Sequence, residues 1–407
     1  MSITQNNVAF FKMITDGIDV EIRKKDGNVK TEKAYVFDLT DINNNEFLAV
    51  NQYTIIENGK ERRPDVVVFI NGIPLAIIEL KNASNEDIGI VEGFNQLQTY
   101  KKDIPTVFNY NAFLVTSDGI NAKVGTISSD FDRFMFWRTV DGNGEAPESS
   151  PQLKVMLQGM MDKKRILDII SNYTFFVHEE DKSFKILAGY HQYFAGKKAL
   201  YKTHIAAAEN GDRKVGVIWH TQGSGKSFSM LMYARQLVLE LNNPTIVIIT
   251  DRNDLDDQLY GTFAKSAHYL RQIPKQAENR KQLRDLLSVE SGGVIFTTIQ
   301  KFIPDESDQS NEALTNRRNV IVIADEAHRS QYGLEAKEKD GKVSFGFAKY
   351  MRDALPNASF IGFTGTPVEL SDKNTPALFG DYIDIYDLTQ AVKDRTTICN
   401  QSTKKVG

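Results

Sequence analysis

The second half of this chain contains five short runs of mostly apolar residues, and helical segments separate each run from the next. Strands that are apolar along their whole length are covered on both faces, and short strands that alternate with helices favour a parallel sheet between layers of helices. This pattern constrains the fold more than any other feature of the sequence. The runs are KVGVIW (214–219), PTIVIIT (244–250), GGVIFTT (292–298), NVIVIAD (319–325) and ASFIGFT (358–364).

The first half of the chain has a different pattern. Strand-like runs dominate residues 1–140, and two helical stretches interrupt them. The segment DGNGEAPESSP at residues 141–151 has the Gly, Pro and Ser content of a loop. It is followed by QLKVMLQGMMDKKRILDIISNY, in which apolar residues recur at three- and four-residue spacing. This order indicates a sheet-rich domain, a helical linker and a separate parallel-sheet domain.

Composition excludes several classes of protein. No run of roughly eighteen apolar residues occurs, so we expect no membrane span. The N-terminus lacks the order of basic and then apolar residues that marks a signal peptide. The chain has one cysteine, Cys399, so it can form neither an internal disulfide nor a cysteine-built metal site. A cytoplasmic protein fits these features best.

The net charge of −4 bears on whether the chain could bind a polyanion such as a nucleic acid. A protein that grips many phosphates usually presents a basic surface, so any basic surface here must be local. A solvated helix face explains the same residues equally well. The candidate lysines are Lys182, Lys185, Lys197, Lys198 and Lys202.

Residues 62–82, RRPDVVVFINGIPLAIIELKN, have the pattern of two apolar strands joined by a tight turn, with three charges near the strand ends. Side chains alternate along a strand, so Glu79 and Lys81 project from one face. Asp65 precedes the other strand, and its direction depends on the turn. The turn therefore decides whether the carboxylates of Asp65 and Glu79 lie on the same face of the hairpin.

Two registers are open for the hairpin. A two-residue turn at residues 71–72 would direct Asp65 to the opposite face from Glu79. A three-residue loop at residues 70–72 would pair Asp65 with Ile77 and place it diagonal to Glu79 on the same face. A slip of one residue separates the charges. We predict the three-residue loop, because it brings both carboxylates together.

Converging carboxylates at Asp65 and Glu79 suit a hard divalent cation such as Mg²⁺, which keeps several waters and takes further ligands from phosphate oxygens. A metal at this position would make a bound water a better nucleophile and stabilise the charge that develops on the phosphate. Lys81 would orient that water or offset the same charge. The alternative is a plain surface ion pair at the end of a strand.

The sequence IWHTQGSGKS follows an apolar run and precedes a helical segment. Gly223 and Gly225 would let the backbone wrap a phosphate, Lys226 would reach the β- and γ-phosphate oxygens, and Ser227 would ligate Mg²⁺. The strict phosphate-loop pattern has glycine where His220 stands, and the sequence assigns His220 no role. The other loop residues that we expect to contact ATP are Thr221 and Ser224.

A second nucleotide motif, DEAHRS, follows the run NVIVIA. Asp325 at the strand end would hold Mg²⁺ through water, and Glu326 would activate the water that attacks the γ-phosphate. The sequence FTGTP at residues 363–367 ends the next apolar run. A DEAH tetrapeptide alone could occur on a helix by chance, but its position after an apolar strand favours a nucleotide site.

The residues of the hairpin resemble a known nuclease signature. Asp65, Glu79 and Lys81, with a proline before the aspartate, are similar to the PD-(D/E)xK motif. Gln96 and Tyr100 lie one helical turn apart on one face, and this spacing resembles a helix of the RecB-like branch of those nucleases. The resemblance implies that their polar groups touch the metal site or the DNA backbone.

The loop and the DEAH box resemble motifs I and II of superfamily-two helicases, and FTGTP resembles motif III. The segments TDRNDLDDQ (250–258) and TTIQKF (297–302) fall where motifs Ia and Ib belong. Gln192 in GYHQYFA is similar to the Q-motif glutamine that reads adenine, although Gly189 stands where related proteins often have arginine. The resemblance also implies that His328 contacts motif III.

Together these segments resemble the restriction (R, HsdR-type) subunit of type I restriction-modification enzymes. The resemblance implies an α/β fold, with a PD-(D/E)xK nuclease domain of mixed sheet and flanking helices followed by one RecA-like parallel-sheet ATPase lobe. It implies ATP and Mg²⁺ as cofactors, ATP-driven translocation on foreign double-stranded DNA, and cleavage of that DNA. It also implies docking on methyltransferase (M) and specificity (S) subunits.

The expected domains follow from these motifs. They are a nuclease domain at 1–150, a helical linker at 151–180, a first RecA-like lobe at 181–388 and an irregular tail at 389–407.

Motifs IV to VI of the family, with the arginine that reaches the γ-phosphate, have no counterpart in this sequence. We therefore expect the second RecA-like lobe to be absent and the chain to be an N-terminal part that a separate chain completes. Because such an arginine is worth about 10³–10⁵ in rate in related NTPases, we expect the chain alone to bind ATP weakly and not to translocate.

Two other interpretations are open. The chain could be a non-catalytic remnant or an assembly module of a restriction-modification complex, which the missing motifs favour and the intact charged triplet disfavours. A DEAH-type RNA helicase would leave residues 60–100 unexplained.

Overall fold

In a computed structural model, the chain forms two compact units, residues 1–191 and 192–407. The boundary expected from the sequence, at residue 150 with a linker to residue 180, comes earlier in the chain than this division. The residues that the structure describes are 2–25, 27–82, 88–250, 253–304, 313–327, 336–339, 342–345, 347–367 and 374–396.

The first unit combines strands with a few helices. Its helices are α1 (Ile3–Asp16), α2 (Ile88–Asp103), α3 (Gln152–Gly159) and α4 (Lys163–Asn172), with 3₁₀ turns at Ile42–Asn44, Pro105–Phe108 and Phe131–Arg133. Its strands are β1 (Ile18–Arg23), β2 (Val29–Ala34), β3 (Phe47–Asn51), β4 (Ile55–Glu57), β5 (Lys60–Arg62), β6 (Val66–Ile70), β7 (Ile73–Leu80), β8 (Phe113–Ser117), β9 (Ala122–Gly125), β10 (Thr174–Glu179) and β11 (Lys182–Leu187). Helix α5 (Tyr190–Ala207) contains the division between the units.

A mixed sheet with the strand order β3-β6-β7-β8-β9 forms the centre of the first unit. Strand β7 pairs with β8 in parallel, and the other neighbours are antiparallel. Helix α2 lies on β7 and β8, and its Leu97 and Tyr100 join a core cluster with Ile77 and Leu114. The mixed sheet with flanking helices that the sequence predicted is confirmed.

Strands β6 and β7 are joined by a two-residue turn, so the predicted three-residue loop at residues 70–72 is wrong. Ile70 pairs with Ile73, and the residues between them, Asn71 (φ 52°) and Gly72 (φ 75°), are both left-handed. These dihedral angles match the twist of a tight hairpin, which is why Asn-Gly is favoured there. The Asn71 side chain also hydrogen-bonds to neighbouring segments and so fixes the turn.

A β-bulge at Leu75 restores the alignment of Asp65 with Glu79, which the two-residue turn alone would not give. The pairing of β6 with β7 shifts by one residue at the bulge, and such a shift moves a side chain to the other face of the strand. Continued by one position beyond Val66, the register places Asp65 opposite Glu79 and not opposite Ile77 as predicted. The two carboxylates therefore share a face by a different route from the one that the sequence suggested.

Residues 151–180 form two helices and the start of a hairpin instead of one helical linker. The predicted helix is interrupted because Asp162 caps α4, where its side chain accepts a hydrogen bond from the Arg165 backbone N–H at 3.1 Å. Helix α4 contacts α1 and buries Ile166 and Ile170. Both helices belong to the first unit.

Two of the five lysines suggested as a basic surface have partners within their own units. Lys185 is buried, and its Nζ donates to Asn7 Oδ1 at 2.8 Å and to the Asn111 carbonyl at 2.5 Å. Lys198 forms an ion pair of 2.8 Å with Asp384. The prediction of a basic surface made by all five lysines is therefore wrong, because Lys185 is buried and the charge of Lys198 is paired with Asp384.

The second unit contains a larger sheet. Its helices after α5 are α6 (Lys226–Glu240), α7 (Asn253–Lys265), α8 (Ala267–Leu270), α9 (Arg280–Leu287), α10 (Phe347–Ala354), α11 (Asn374–Phe379) and α12 (Leu388–Lys393), with a 3₁₀ turn at Ile299–Phe302. Its strands are β12 (Lys214–His220), β13 (Thr245–Thr250), β14 (Pro274–Gln276), β15 (Val294–Thr298), β16 (Val320–Ala324), β17 (Ala336–Lys339), β18 (Lys342–Phe345), β19 (Ser359–Thr364) and β20 (Tyr382–Tyr386). Across the described residues of both units, the helices are too short or too polar to cross a membrane.

Seven of these strands form one sheet with the order β14-β15-β13-β16-β19-β12-β20. All of its pairings are parallel. Every residue of β13, β15, β16 and β19 is buried, as near-continuous apolar strands require. The predicted parallel-sheet lobe, and with it the α/β fold class, is confirmed.

The tail that the sequence predicted to be irregular from residue 389 begins as a helix. Asp387 caps α12, because its side chain accepts a hydrogen bond from the Gln390 backbone N–H at 2.8 Å. The prediction is therefore wrong for residues 389–393. Residues 397–407 lie outside the part of the chain that the structure describes.

We expect the free energy of unfolding to rise between pH 7 and pH 9 through Lys185. Burial lowers the pKa of Lys185 to about 7, so above pH 7 the folded chain holds fewer protons at this group than the unfolded chain, whose lysine titrates near pH 10.4. Stability increases with pH wherever the unfolded state binds more protons. The contribution is at most about 1.4 kcal/mol per pH unit.

Chemical denaturation at the two pH values measures this slope. Lys185→Met should flatten it, whereas Lys182→Met, at an exposed position of the same hairpin, should not. Identical slopes for wild type and Lys185→Met would contradict the prediction.

Candidate functional site

The bulged hairpin brings Asp65, Glu79 and Lys81 together in the first unit. Asp65 lies just before β6, and its Oδ2 accepts a hydrogen bond from the Leu80 backbone N–H at 2.8 Å. Glu79 lies near the end of β7, where Lys81 Nζ is 2.6 Å from Glu79 Oε1. The three charged side chains that the sequence singled out thus meet at one end of the hairpin.

Glu79 is the least accessible of the three, with 3% of its surface exposed. Its Oε2 is buried and makes no hydrogen bond to the described residues. Burial raises the pKa of Glu79 most. The hydrogen bond and charge of Lys81 and the nearby Tyr100 hydroxyl lower it, the charge of Asp65 raises it, and the net change is an increase. A buried carboxylate oxygen without a donor is costly unless a proton or a cation compensates it. This is not the exposed ion pair of the alternative interpretation.

The donors at this position fit a hard divalent cation. Asp65 and Glu79 supply carboxylate oxygens, the ligands that Mg²⁺ prefers in proteins. Within the described residues, no group of three or more His, Cys, Asp and Glu side chains could hold a metal ion. Mg²⁺ is usually bound by one or two carboxylates, with waters and phosphate oxygens as its other ligands. The pair of carboxylates therefore suits a metal that is shared with a phosphate substrate.

Gln96 and Tyr100 lie on α2, which packs against the strand that carries Glu79. Tyr100 is buried, and its hydroxyl donates to the Arg63 carbonyl at 3.5 Å. Burial raises the pKa of Tyr100 to about 12, and a hydrogen bond with Gln96 lowers it. The charges of Glu79 and Asp65 and the approach of the Tyr100 hydroxyl to Glu79 raise it. The Tyr100 hydroxyl therefore stays protonated at neutral pH, and the structure places it beside the carboxylates.

The phosphate-type loop of the second unit, the loop at residues 221–225 that the sequence predicts to bind phosphate, connects β12 to α6. Gly223 (φ 84°) and Gly225 (φ 82°) both have left-handed backbone angles, which other residues adopt at a cost. Ser224 Oγ closes the loop by donating to the Thr221 carbonyl at 2.6 Å. Residues 226–227 form the first turn of α6, where backbone N–H groups and the helix dipole favour a phosphate.

Asp325 and Glu326 lie beside this loop, because β16 and β12 both neighbour β19 in the sheet. Lys226 Nζ is 3.6 Å from Glu326 Oε1. The Glu326 backbone N–H donates to Asp325 Oδ1 at 2.9 Å, and Glu326 has a left-handed φ of 51°. Such backbone angles in residues other than glycine are concentrated at functional sites. The structure therefore brings Lys226, Asp325 and Glu326 together at the carboxyl ends of the parallel strands.

Two further predicted contacts of ATP have different outcomes. Gln192 lies on α5, and its Nε2 donates to the Gly225 carbonyl at 3.1 Å and to the Ser224 carbonyl at 3.4 Å. It thus contacts the phosphate-type loop, and its predicted contact with adenine stays a prediction. His328 lies outside the described residues, so its predicted contact with motif III also stays a prediction.

The structure shows an ion-pair cluster that the sequence did not predict. His220, the departure from the strict loop pattern, is buried with its Nε2 2.9 Å from Asp384 Oδ2, and Lys198 Nζ lies 2.8 Å from Asp384 Oδ1. Burial raises the pKa of Asp384, but the hydrogen bonds and charges of His220 and Lys198 outweigh it and the pKa is lowered. His220 and Asp384 are separated by 164 positions, so no local pattern reveals the pair.

Comparison with known proteins gives matches to both units. Residues 191–404 match the SWI2/SNF2 ATPase family, and residues 2–133 match the type I restriction enzyme R protein N terminus. The chain is 47% identical over 399 residues to the endonuclease subunit of the type I restriction enzyme HindI from Haemophilus influenzae, an alignment that covers 96% of this chain and 38% of that protein. It is 28% identical over 364 residues to the SauCOLORF180P endonuclease subunit of Staphylococcus aureus, with 86% and 35% covered.

Among solved structures, a similar one is a nuclease-deletion mutant of the type ISP restriction-modification enzyme LlaGI in complex with a DNA substrate mimic. It has a TM-score of 0.35 and 18% sequence identity, and the match covers 51% of this chain and 20% of that chain. The chain spans 38% and 37% of the length of two curated relatives that it matches.

Replacing Glu79 by glutamine should stabilise the metal-free chain at pH 7. Because the pKa of Glu79 is raised, the folded state binds more protons than the unfolded state between the two pKa values, and stability falls as the pH rises through that range. Glu79→Gln removes this cost, and we expect the melting temperature in chelator to rise by about 2 °C or more. The same variant should lose metal binding. A melting temperature below that of wild type would contradict the prediction.

Adding a methyl group at Gly365 should displace Lys226. A Cβ at Gly365 would lie 2.5 Å from Lys226 Nζ and 3.3 Å from Gln222 Cγ. Since Lys226 has a flexible side chain, the fold can adjust, but its ammonium cannot keep its place beside the loop. We expect Gly365→Ala to weaken ATP binding about tenfold, a loss of ~1.4 kcal/mol, with little change in melting temperature.

Titration with a fluorescent ATP analogue checks this prediction. Gly261→Ala is the matched control, because a Cβ at Gly261 has no neighbour within 4 Å. Equal affinities for wild type and Gly365→Ala would show that Lys226 does not hold the nucleotide from its present position.

Proposed function

We propose that this chain, which belongs to the SWI2/SNF2 ATPase family and carries the N-terminal domain of type I restriction enzyme R proteins, is the endonuclease and translocase subunit of an ATP-dependent type I restriction enzyme. It cleaves foreign, unmodified double-stranded DNA by metal-assisted hydrolysis of a phosphodiester. The observation that carries this proposal is the buried Glu79 beside Asp65 and Lys81, with one oxygen that makes no hydrogen bond to the described residues.

In the cleavage reaction, Asp65 and Glu79 are the residues that hold Mg²⁺. When bound, this metal supplies an activated water and stabilises negative charge on the phosphate. The Lys81 ammonium, held 2.6 Å from Glu79 Oε1, offsets charge that develops on the scissile phosphate. Tyr100 is a hydrogen-bond donor at neutral pH, since its pKa is raised to about 12. With Gln96, it orients a phosphate oxygen or a water at the site.

In the translocation reaction, ATP binds at the loop of the second unit. Thr221, Gly223, Ser224 and Gly225 wrap its phosphates, and Lys226 neutralises the β- and γ-phosphate oxygens. Ser227 and Asp325 would hold the Mg²⁺ of the nucleotide, and Glu326 would activate the attacking water. Gln192 would read the adenine base, and His328 would contact motif III.

The partners in this proposal are double-stranded DNA and the methyltransferase (M) and specificity (S) subunits of the same system. The proposal also includes a separate chain with a further RecA-like lobe, which would complete the ATP site. A cytoplasmic location is consistent with action on incoming DNA.

The assembly-module alternative is disfavoured by the energetics of Glu79. A buried carboxylate whose Oε2 makes no hydrogen bond to the described residues destabilises the metal-free fold. We expect that a chain without catalytic activity would gain stability by replacing it. Strain of this kind is characteristic of functional sites.

Nicking of supercoiled plasmid tests the proposal. With the M and S subunits, the further RecA-like lobe, ATP and Mg²⁺ present, we expect Asp65→Ala and Lys81→Ala to reduce the rate of nicking by about 100-fold or more. Asp65→Ala removes a ligand of the metal, and Lys81→Ala removes a charge that stabilises the reacting phosphate. The matched controls are Asp19→Ala and Lys33→Ala, which break an exposed ion pair of 2.8 Å in the same unit.

The controls should cleave at the wild-type rate. Nicking by Asp65→Ala or Lys81→Ala at the rate of these controls would refute the assignment of the cleavage site.

A further inference from the structure

We propose that Gln52 is a positioning residue for the Asp65 carboxylate, and through it for the divalent cation of the cleavage site. The inference rests on the proposed function, because it concerns the same metal. Gln52 lies immediately after β3 and is not a residue of the PD-(D/E)xK signature. Its contacts, its conformation and its chemical type lead to the same assignment.

Gln52 and Asp65 form a cross-strand pair at the edge of the mixed sheet. The register of β3 with β6, continued one position beyond Asn51 and Val66, places them opposite each other. The Gln52 backbone N–H donates to the Asp65 carbonyl at 2.9 Å, and Gln52 Nε2 donates to Asp65 Oδ1 at 2.7 Å. Since Asp65 also lies opposite Glu79, the three residues form a row across neighbouring strands.

Both oxygens of Asp65 are held, each from a different strand. Gln52 donates to Oδ1, and the Leu80 backbone N–H donates to Oδ2 at 2.8 Å. Two donors fix the rotamer of the carboxylate and leave acceptor capacity on each oxygen for a cation. A carboxylate that is oriented before the metal arrives loses less conformational freedom on binding. Hydrogen-bond partners of metal ligands typically change metal affinity by about 10–100-fold when they are removed.

The choice of glutamine is not explained by the backbone or by packing. Gln52 has a left-handed φ of 51°, a conformation in which asparagine and glycine are favoured. Its side chain is exposed, so it contributes little to the core. The length of glutamine does explain the choice, because its amide extends one methylene further than that of asparagine and thereby reaches Asp65. A residue that contradicts its local preference is expected where function requires it.

The test measures Mn²⁺ binding by isothermal titration calorimetry with the full chain, with Asp65→Ala defining the signal of this site. The test variants are Gln52→Asn and Gln52→Gly. Both suit a left-handed backbone and keep the backbone N–H. Glycine removes the side-chain amide, and asparagine draws it back from the Asp65 carboxylate by one methylene. The matched control is Asn58→Gly, at an exposed left-handed position in another turn.

We expect both Gln52 variants to bind Mn²⁺ about tenfold more weakly than wild type, with melting temperatures within about 2 °C of it. Asn58→Gly should bind as wild type does. In the nicking assay, the Mg²⁺ concentration for half-maximal rate should rise in the Gln52 variants, while the rate at saturating Mg²⁺ stays within about twofold of wild type.

Wild-type affinity in both Gln52 variants would overturn the assignment of Gln52. A loss of stability large enough to account for weaker binding would also overturn it and make Gln52 a structural residue. If Asp65→Ala binds Mn²⁺ as tightly as wild type does, the cleavage site itself is refuted, which is a different result from the failure of Gln52 alone.

Discussion

Glu79 carries a carboxylate into the interior of the first unit, and the arrangement of the surrounding residues depends on how that charge is compensated. Lys81 covers one oxygen at 2.6 Å, whereas the other is buried and makes no hydrogen bond to the described residues. Asp65, on the neighbouring strand, adds a second negative charge and raises the pKa of Glu79 further. A fold stable in water avoids such a combination unless a cation completes it. The hairpin, its bulge and the pairing with Gln52 all serve to hold the two carboxylates in this position.

In the second unit, the order of the parallel strands brings segments that are distant in sequence to one edge of the sheet. The loop after β12, the DEAH residues after β16 and the FTGTP segment at the end of β19 are far apart in sequence, but the strand order makes their strands neighbours. In parallel sheets the ligand site lies at the carboxyl ends of the strands. The cluster of His220, Asp384 and Lys198 lies at the same loop and links it to β20 and α5. His220, which stands where the strict pattern has glycine, therefore contacts Asp384 and has a structural role.

The sequence predicted the fold class and the residue types of both candidate sites, because hydrophobic period and short motifs are local properties. It did not predict the register of the hairpin, since the bulge at Leu75 depends on contacts that are remote in sequence. The Leu75 carbonyl accepts hydrogen bonds from the Ala112 N–H at 2.6 Å and from the Asn111 side chain at 3.2 Å. The contacts of Gln52 and His220 are remote in the same sense. By contrast, the start of a new helix after Asp162 has a local signal, because aspartate is a favoured N-cap residue. The prediction of one continuous helix did not take that signal into account.

Anomalous diffraction from crystals of the chain soaked in Mn²⁺ tests most directly whether a cation binds between Asp65 and Glu79. We predict an anomalous peak within about 2.5 Å of an oxygen of each carboxylate, and we expect this peak to disappear in crystals of Glu79→Gln. A clear map with Mn²⁺ at other positions and none between these two side chains would contradict it.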